Sequence, residues 1–141
     1  MDESIIGFSV SFNANETEKE RILSYFWGKT GLNSKLADLN WKDYGQGFQL
    51  ILFQIYVKPF NSTKKALKDI GKFNKKEQSI RISIVLEEEN FFKLSETYRQ
   101  EFLTEIIIKR LSLLQTVAKR NTLNFNISKL IENVKERLND G

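Results

Sequence analysis

The sequence predicts an α+β domain: a small, at least partly antiparallel sheet of three or four strands with helices packed on it. Three observations carry that expectation. Apolar residues alternate with a period of two through Ile6–Phe12, Phe48–Val57 and Ile80–Leu86, as they do on pleated strands. They recur every three or four residues from Phe102 to Ala118 and from Leu130 to Leu138, as on one face of a helix. The final third is all helix, and strands and helices do not alternate as regular βαβ units. At 141 residues the chain is read as one domain, residues 1–141.

Each element follows in order. Ile6, Phe8, Val10 and Phe12, with Gly7, Ser9 and Ser11 between them, form a half-buried first strand. Asn13 or Asn15 then caps a helix with an acidic first turn (Glu16, Glu18, Glu20) and an inner face of Ile22, Leu23, Tyr25, Phe26 and Trp27. Leu32, Leu36 and Leu39 are spaced for a short helix, and Trp41–Gly47 is a loop. Phe48–Val57 is apolar on both faces, which places it centrally, covered on both sides or at a dimer contact. Pro59 ends it. Asn61–Phe73 reads as a short basic helix, and a third strand follows at Ser79–Leu86. An acidic turn, Glu87–Asn90, leads to a long helix opened by Ser95 and running to about Lys119. Glu101, Glu105 and Lys109 fall on its outer side. A loop at 121–126 and a last helix over Ser128–Leu138 complete the chain.

Composition excludes several chemistries. There is no cysteine, so disulfides and thiolate nucleophiles are absent. There is no histidine either. The usual general base near neutral pH and the commonest transition-metal ligand are therefore missing. Catalysis would rest on Asp, Glu, Lys, Tyr or Ser alone, and neither an enzyme nor a cofactor or metal is expected. The start, MDESIIGF, has no basic region and no long apolar run, and no segment approaches the roughly 20 apolar residues of a membrane helix. The cytoplasm is the expected compartment. Gly28–Gly31, GKTG, lacks the spacing of a phosphate loop and follows a helix.

Three patches are candidates for binding. Trp41, Asp43, Tyr44 and Gln46 combine two aromatic rings and a carboxylate in a Gly-punctuated loop, which suits an interface anchor and equally suits rim packing with a turn. Glu87, Glu88 and Glu89 offer an acidic contact or a solvated turn, and three successive carboxylates diverge too much for a cation site. The run Lys64, Lys65, Lys68, Lys72, Lys75, Lys76 and Arg81 is the basic face. It suits either a solvated helix face or a polyanion, but it lacks the Arg and stacking partners of specific nucleic-acid readout. Net charge is +4 with the two signs in separate patches, which suits a protein partner as well.

Two stretches, NWKDYGQGFQLILFQIYVKP (Asn40–Pro59) and SIRISIVLEEENFFKLSETYRQEFL (Ser79–Leu103), resemble the small immunity proteins of bacterial polymorphic-toxin and contact-dependent inhibition systems. Together they cover about a third of the chain. The resemblance implies a non-enzymatic cytosolic protein that binds one toxin domain tightly. It carries no functional residue over position by position. Such proteins tend to be acidic when the toxin is a basic nuclease, whereas this chain is basic overall; either the toxin is not a basic nuclease or the acidic turn is the local contact. The alternative function is a weakly basic nucleic-acid-associated protein using the Lys64–Arg81 face. A homodimer is compatible with the two apolar faces of the central strand.

Overall fold

Ile51, Phe53, Ile55 and Val57 all point to one side of a single strand, and all are buried. The fold is organised around that row. The computed structural model describes residues 4–12, 19–58 and 70–139. In chain order these residues form β1 (Ile6–Phe12), α1 (Lys19–Leu23), α2 (Leu32–Lys35), a 3-10 turn (Trp41–Asp43), β2 (Leu50–Lys58), β3 (Ser79–Glu87), α3 (Glu88–Lys93), α4 (Glu96–Arg120) and α5 (Ile127–Asn139).

The sheet has the order β1-β2-β3, with β2 in the centre. Every pairing between these strands is parallel: Ile6 pairs with Ile51 and Phe12 with Val57, while Leu50 pairs with Ser79 and Lys58 with Glu87. This corrects the partly antiparallel sheet expected from the sequence. The physical reason lies in the connections. Residues 13–49 and 59–78 separate the strands, and linkers of a dozen or more residues are what parallel neighbours require. Antiparallel contacts among the described residues are confined to isolated bridges, such as Ile70–Ile82 and Asn74–Ser79.

One face of the sheet is the core face. Ile6, Phe53, Ile55, Ile82, Ile84 and Leu86 are buried there. Each such side chain contributes about 1.5–3 kcal/mol by leaving water. Phe8 stacks on Phe53 at 5.7 Å and meets Phe26 at a tilt, 5.6 Å between centroids. Leu103, Ile107, Leu111 and Leu114 from α4, with Leu130 and Val134 from α5, complete this layer. The other face is not closed in the same way. Ser11, Leu50 and Arg81 are exposed, and Ser9, Leu52, Gln54, Tyr56 and Val85 are half-buried. Leu52, Tyr56 and Val85 stay outside the core cluster. Gly7 leaves room for the Leu50 and Leu52 side chains, whose ends would lie 3.3 and 3.4 Å from a Cβ there. Among the described residues β2 is fully covered on one side only, where the sequence led to cover on both sides or a dimer contact.

The helices largely follow their signals. Ser95 caps α4, its hydroxyl accepting from the Tyr98 amide at 3.4 Å, and Asn126 accepts from the Lys129 amide at 3.0 Å to start α5. Asn40 accepts from the Lys42 amide at 2.9 Å, which turns the expected loop into a 3-10 turn. The acidic turn is instead the end of β3 and the first turn of α3, where glutamates complement the helix dipole. The expected basic helix is not seen in its described part: residues 71–73 are non-helical and Ile70 bridges to Ile82. Asn61–Asp69, like the cap at Asn13 or Asn15, lies outside the described residues. On α4, Phe102 was expected in the core but is 37% exposed.

Arg137 of α5 grips Asp38, just beyond α2, through bonds of 3.2, 3.3 and 3.0 Å. Those bonds hold the Asp38 carboxyl below its ordinary pKa. Its stabilising effect is therefore complete above the unfolded carboxylate pKa of about 3.9 and is lost as pH falls through the lower folded value. Asp38 is 64% exposed and Arg137 37%, so solvent screening keeps the effect small. Urea midpoints of the native chain and Asp38→Asn should differ slightly at neutral pH and converge as pH falls through the lowered folded pKa of the carboxyl. A constant offset across that range would assign the difference to something other than the carboxylate.

Candidate partner-binding surface

The Trp41–Gln46 loop is tied to the connection between α4 and α5. The Gln46 amide donates to the Asn124 carbonyl at 2.8 Å, and the Asn126 amide donates to the Tyr44 carbonyl at 2.7 Å. Gly45, at φ 123°, forms a bridge with Phe125. A Cβ at Gly45 would collide with the Asn124 carbonyl, so the close approach requires glycine. Tyr44 is buried at 4% exposure. Its ring lies 6.0 Å from Phe125, and its hydroxyl accepts from Asn133 Nδ2 at 2.8 Å. Lys129 of α5 donates to the Asp43 carbonyl at 3.2 Å. Trp41 is half-buried against the core, while Asp43 and Gln46 are exposed. An exposed four-residue cluster is therefore not what the loop presents. Tyr44 has turned inward because its ring packs against Phe125 and its hydroxyl has a partner in Asn133 of α5.

Glu87, Glu88 and Glu89 stand at the opposite end of the sheet. Eight residue steps of β3 separate Ser79 from Glu87, about 26 Å at the usual strand rise. The structure does not bring the two candidate patches together. Glu87 accepts from Asn90 Nδ2 at 2.7 Å, and Glu89 is exposed. Among the described residues no group of acidic side chains is arranged to hold a metal ion. Of the basic face, Lys64, Lys65 and Lys68 lie outside the described residues; Lys72, Lys75, Lys76 and Arg81 are exposed. Lys75 and Lys76 sit on a tight turn closed by the Asn74–Ser79 bridge.

Arg99 is the sole buried charged residue among those described. It reaches the end of α3, where Nε donates to the Phe91 carbonyl at 3.3 Å and Nη2 to the Phe92 carbonyl at 2.8 Å. Nη1 donates to the Tyr25 hydroxyl at 3.3 Å and to Glu96 at 3.1 Å. The Tyr25 hydroxyl in turn donates to Glu96 at 2.9 Å. Burial pushes the Tyr25 pKa up; Arg99 opposes that and Glu96 adds to it. The guanidinium lies 5.0 Å from the Phe92 ring centroid. This clamp fixes the α3–α4 corner. Sequence reasoning did not find it, because an arginine between two polar neighbours reads as surface.

The corner carries an acidic and aromatic ridge. Tyr98 is 62% exposed, and Phe102, Glu101 and Glu105 are also exposed. Their spacings of three and four place them on one side of α4.

Fold and surface together define a small α+β domain whose buried polar groups serve the scaffold. The family model described as Immunity protein 44 matches residues 4–140, nearly the whole chain. The chain belongs to that family and is an immunity protein of a toxin system. Neither the curated proteins nor the solved structures give a significant match to it. Among the described residues no helix is long and apolar enough to cross a membrane.

Tyr44 is read as a packing residue, and its substitutions grade accordingly. Tyr44→Phe should cost about 0.5–1.5 kcal/mol through loss of the Asn133 bond. Tyr44→Ala should cost about 3–5 kcal/mol through the cavity it leaves. Chemical denaturation measures both. A fully stable Tyr44→Ala protein would return the ring to the candidate contact residues.

Proposed function

We propose that this chain is a non-enzymatic, single-domain inhibitor that neutralises one cognate bacterial toxin in the cytoplasm by stoichiometric binding. The observation that carries the reading is the family match across residues 4–140. Supporting it, the chain has neither histidine nor cysteine, so neutral-pH acid–base or nucleophilic chemistry would need a strongly shifted carboxylate or lysine. An inhibitor needs only a rigid frame and a complementary surface. Of the two candidate contacts, Glu87–Glu89 is the one we place at the toxin. In the loop, Tyr44 is already committed to packing, which leaves Trp41, Asp43 and Gln46 as a secondary rim.

The experiment is a titration of the toxin domain encoded beside this chain. Inhibition should be complete near one equivalent and should not deepen with incubation at sub-stoichiometric ratios. Progressive inactivation of excess toxin would reveal turnover, and no inhibition at any ratio would remove the toxin reading.

A further inference from the structure

We infer that the exposed side of the α4 N-terminal half, with the cleft beside it, is the docking surface, and that it takes a basic toxin face carrying an apolar side chain. The inference rests on the toxin-binding reading and adds the surface and its chemistry.

Three observations converge on this corner. Tyr98 is the most exposed of the large hydrophobic residues among those described, at 62%, and Phe102 lies one turn further along the same side. A water-facing aromatic pair supplies rigid contact area of the kind that dominates interface energies. Beside Phe102, a cleft of about 420 Å3 opens between the end of β3, α3 and α4. Val85, Phe91 and Leu94 line it, and Glu87 stands at its rim. The cleft is apolar enough to receive one large side chain.

The third observation is charge. From Glu87 to Glu105 there are six glutamates against Lys93 and Arg99, with Arg21 of α1 also at this corner, 4.3 Å over the Phe92 ring, in a chain of net charge +4. Arg99 is paired with Glu96 in the clamp, so it offsets that glutamate and leaves the other five. Glu89, Glu101 and Glu105 are exposed, and no ion pair joins them to another of the described residues. A basic chain thus turns one acidic corner outward, flanked by apolar area. Complementarity calls for a lysine- and arginine-rich partner face, the kind a domain acting on nucleic acid presents. Partner arginines can also stack on Tyr98.

The test uses the full chain and a catalytically inactivated form of the toxin domain encoded beside it, with binding followed kinetically. Tyr98→Ala should weaken binding by about 30-fold or more, the loss that marks a hot spot. The double variant Glu101→Lys with Glu105→Lys should slow association by about tenfold at low salt, a difference that fades toward about 0.5 M salt as screening removes steering. Both variants change exposed side chains, and unchanged helical circular dichroism and thermal midpoint establish that they fold. Native binding with no effect of either variant overturns the docking surface and leaves the toxin reading standing. So does loss of binding on Asp43→Ala or Gln46→Ala instead. Absence of binding by the native chain itself removes both.

Discussion

The arrangement of the outer corner depends on one buried guanidinium. Helix α3 has only six residues, too few to hold itself in water. Of its final carbonyls, that of Phe91 accepts from the Leu94 amide at 3.2 Å, and the turn into α4 calls for further donors. Arg99 supplies donors to the Phe91 and Phe92 carbonyls while sharing Glu96 and the Tyr25 hydroxyl. One side chain thereby joins the turn after α1, the end of α3 and the first turns of α4. Around it, Phe91 meets Tyr25 edge-on at 5.2 Å, so the polar centre is enclosed by rings. Every residue of the ridge from Tyr98 to Glu105 takes its direction from the same helix that Arg99 fixes.

The sheet explains why the proposed docking surface falls at that corner. Parallel pairing puts the ends of all three strands at one edge of the domain, and Glu87 lies there at the end of β3. The Trp41–Gln46 loop leads into β2 at the other edge and is stitched to Asn124 and Asn126. Those bonds make the loop part of the frame, since its backbone groups and the Tyr44 ring already have partners. Among the described residues, the half-exposed sheet face around Leu52, Gln54 and Tyr56 carries Arg81 and, at its end, Glu87, which offset one another. Charge therefore separates the molecule's surfaces more sharply than apolar exposure does.

Much of the fold was legible in the sequence. Ser95, the apolar rows of α4 and α5, and the alternation in all three strands each correspond to an observed element, because capping and periodicity act locally. Strand direction is set by the route of the connections, and irregular segments such as residues 24–49 conceal a crossover that regular helices would have announced. Side-chain direction was less legible still. Tyr44 and Trp41 sit three residues apart in one polar loop, yet one ring is buried and the other only half so, since Asn133 and Phe125 arrive from distant sequence. On α4 the apolar stripe is wider than one buried face needs. Phe102 is exposed although Leu103 beside it is buried, since a one-residue step turns a helical position by over a quarter of a circle. The spacing of Tyr98, Phe102 and Glu105 held the signal for the ridge.

The most direct test of this account is nuclear magnetic resonance mapping of the isotope-labelled chain as the inactivated toxin domain is added. The account predicts that the largest shifts cluster at Glu89, Tyr98, Glu101, Phe102 and Glu105, with Tyr25 and Arg99 little changed because the clamp is already formed. Shifts centred on Trp41–Gln46, on Lys72–Lys76 or on the Leu52–Tyr56 face would contradict it.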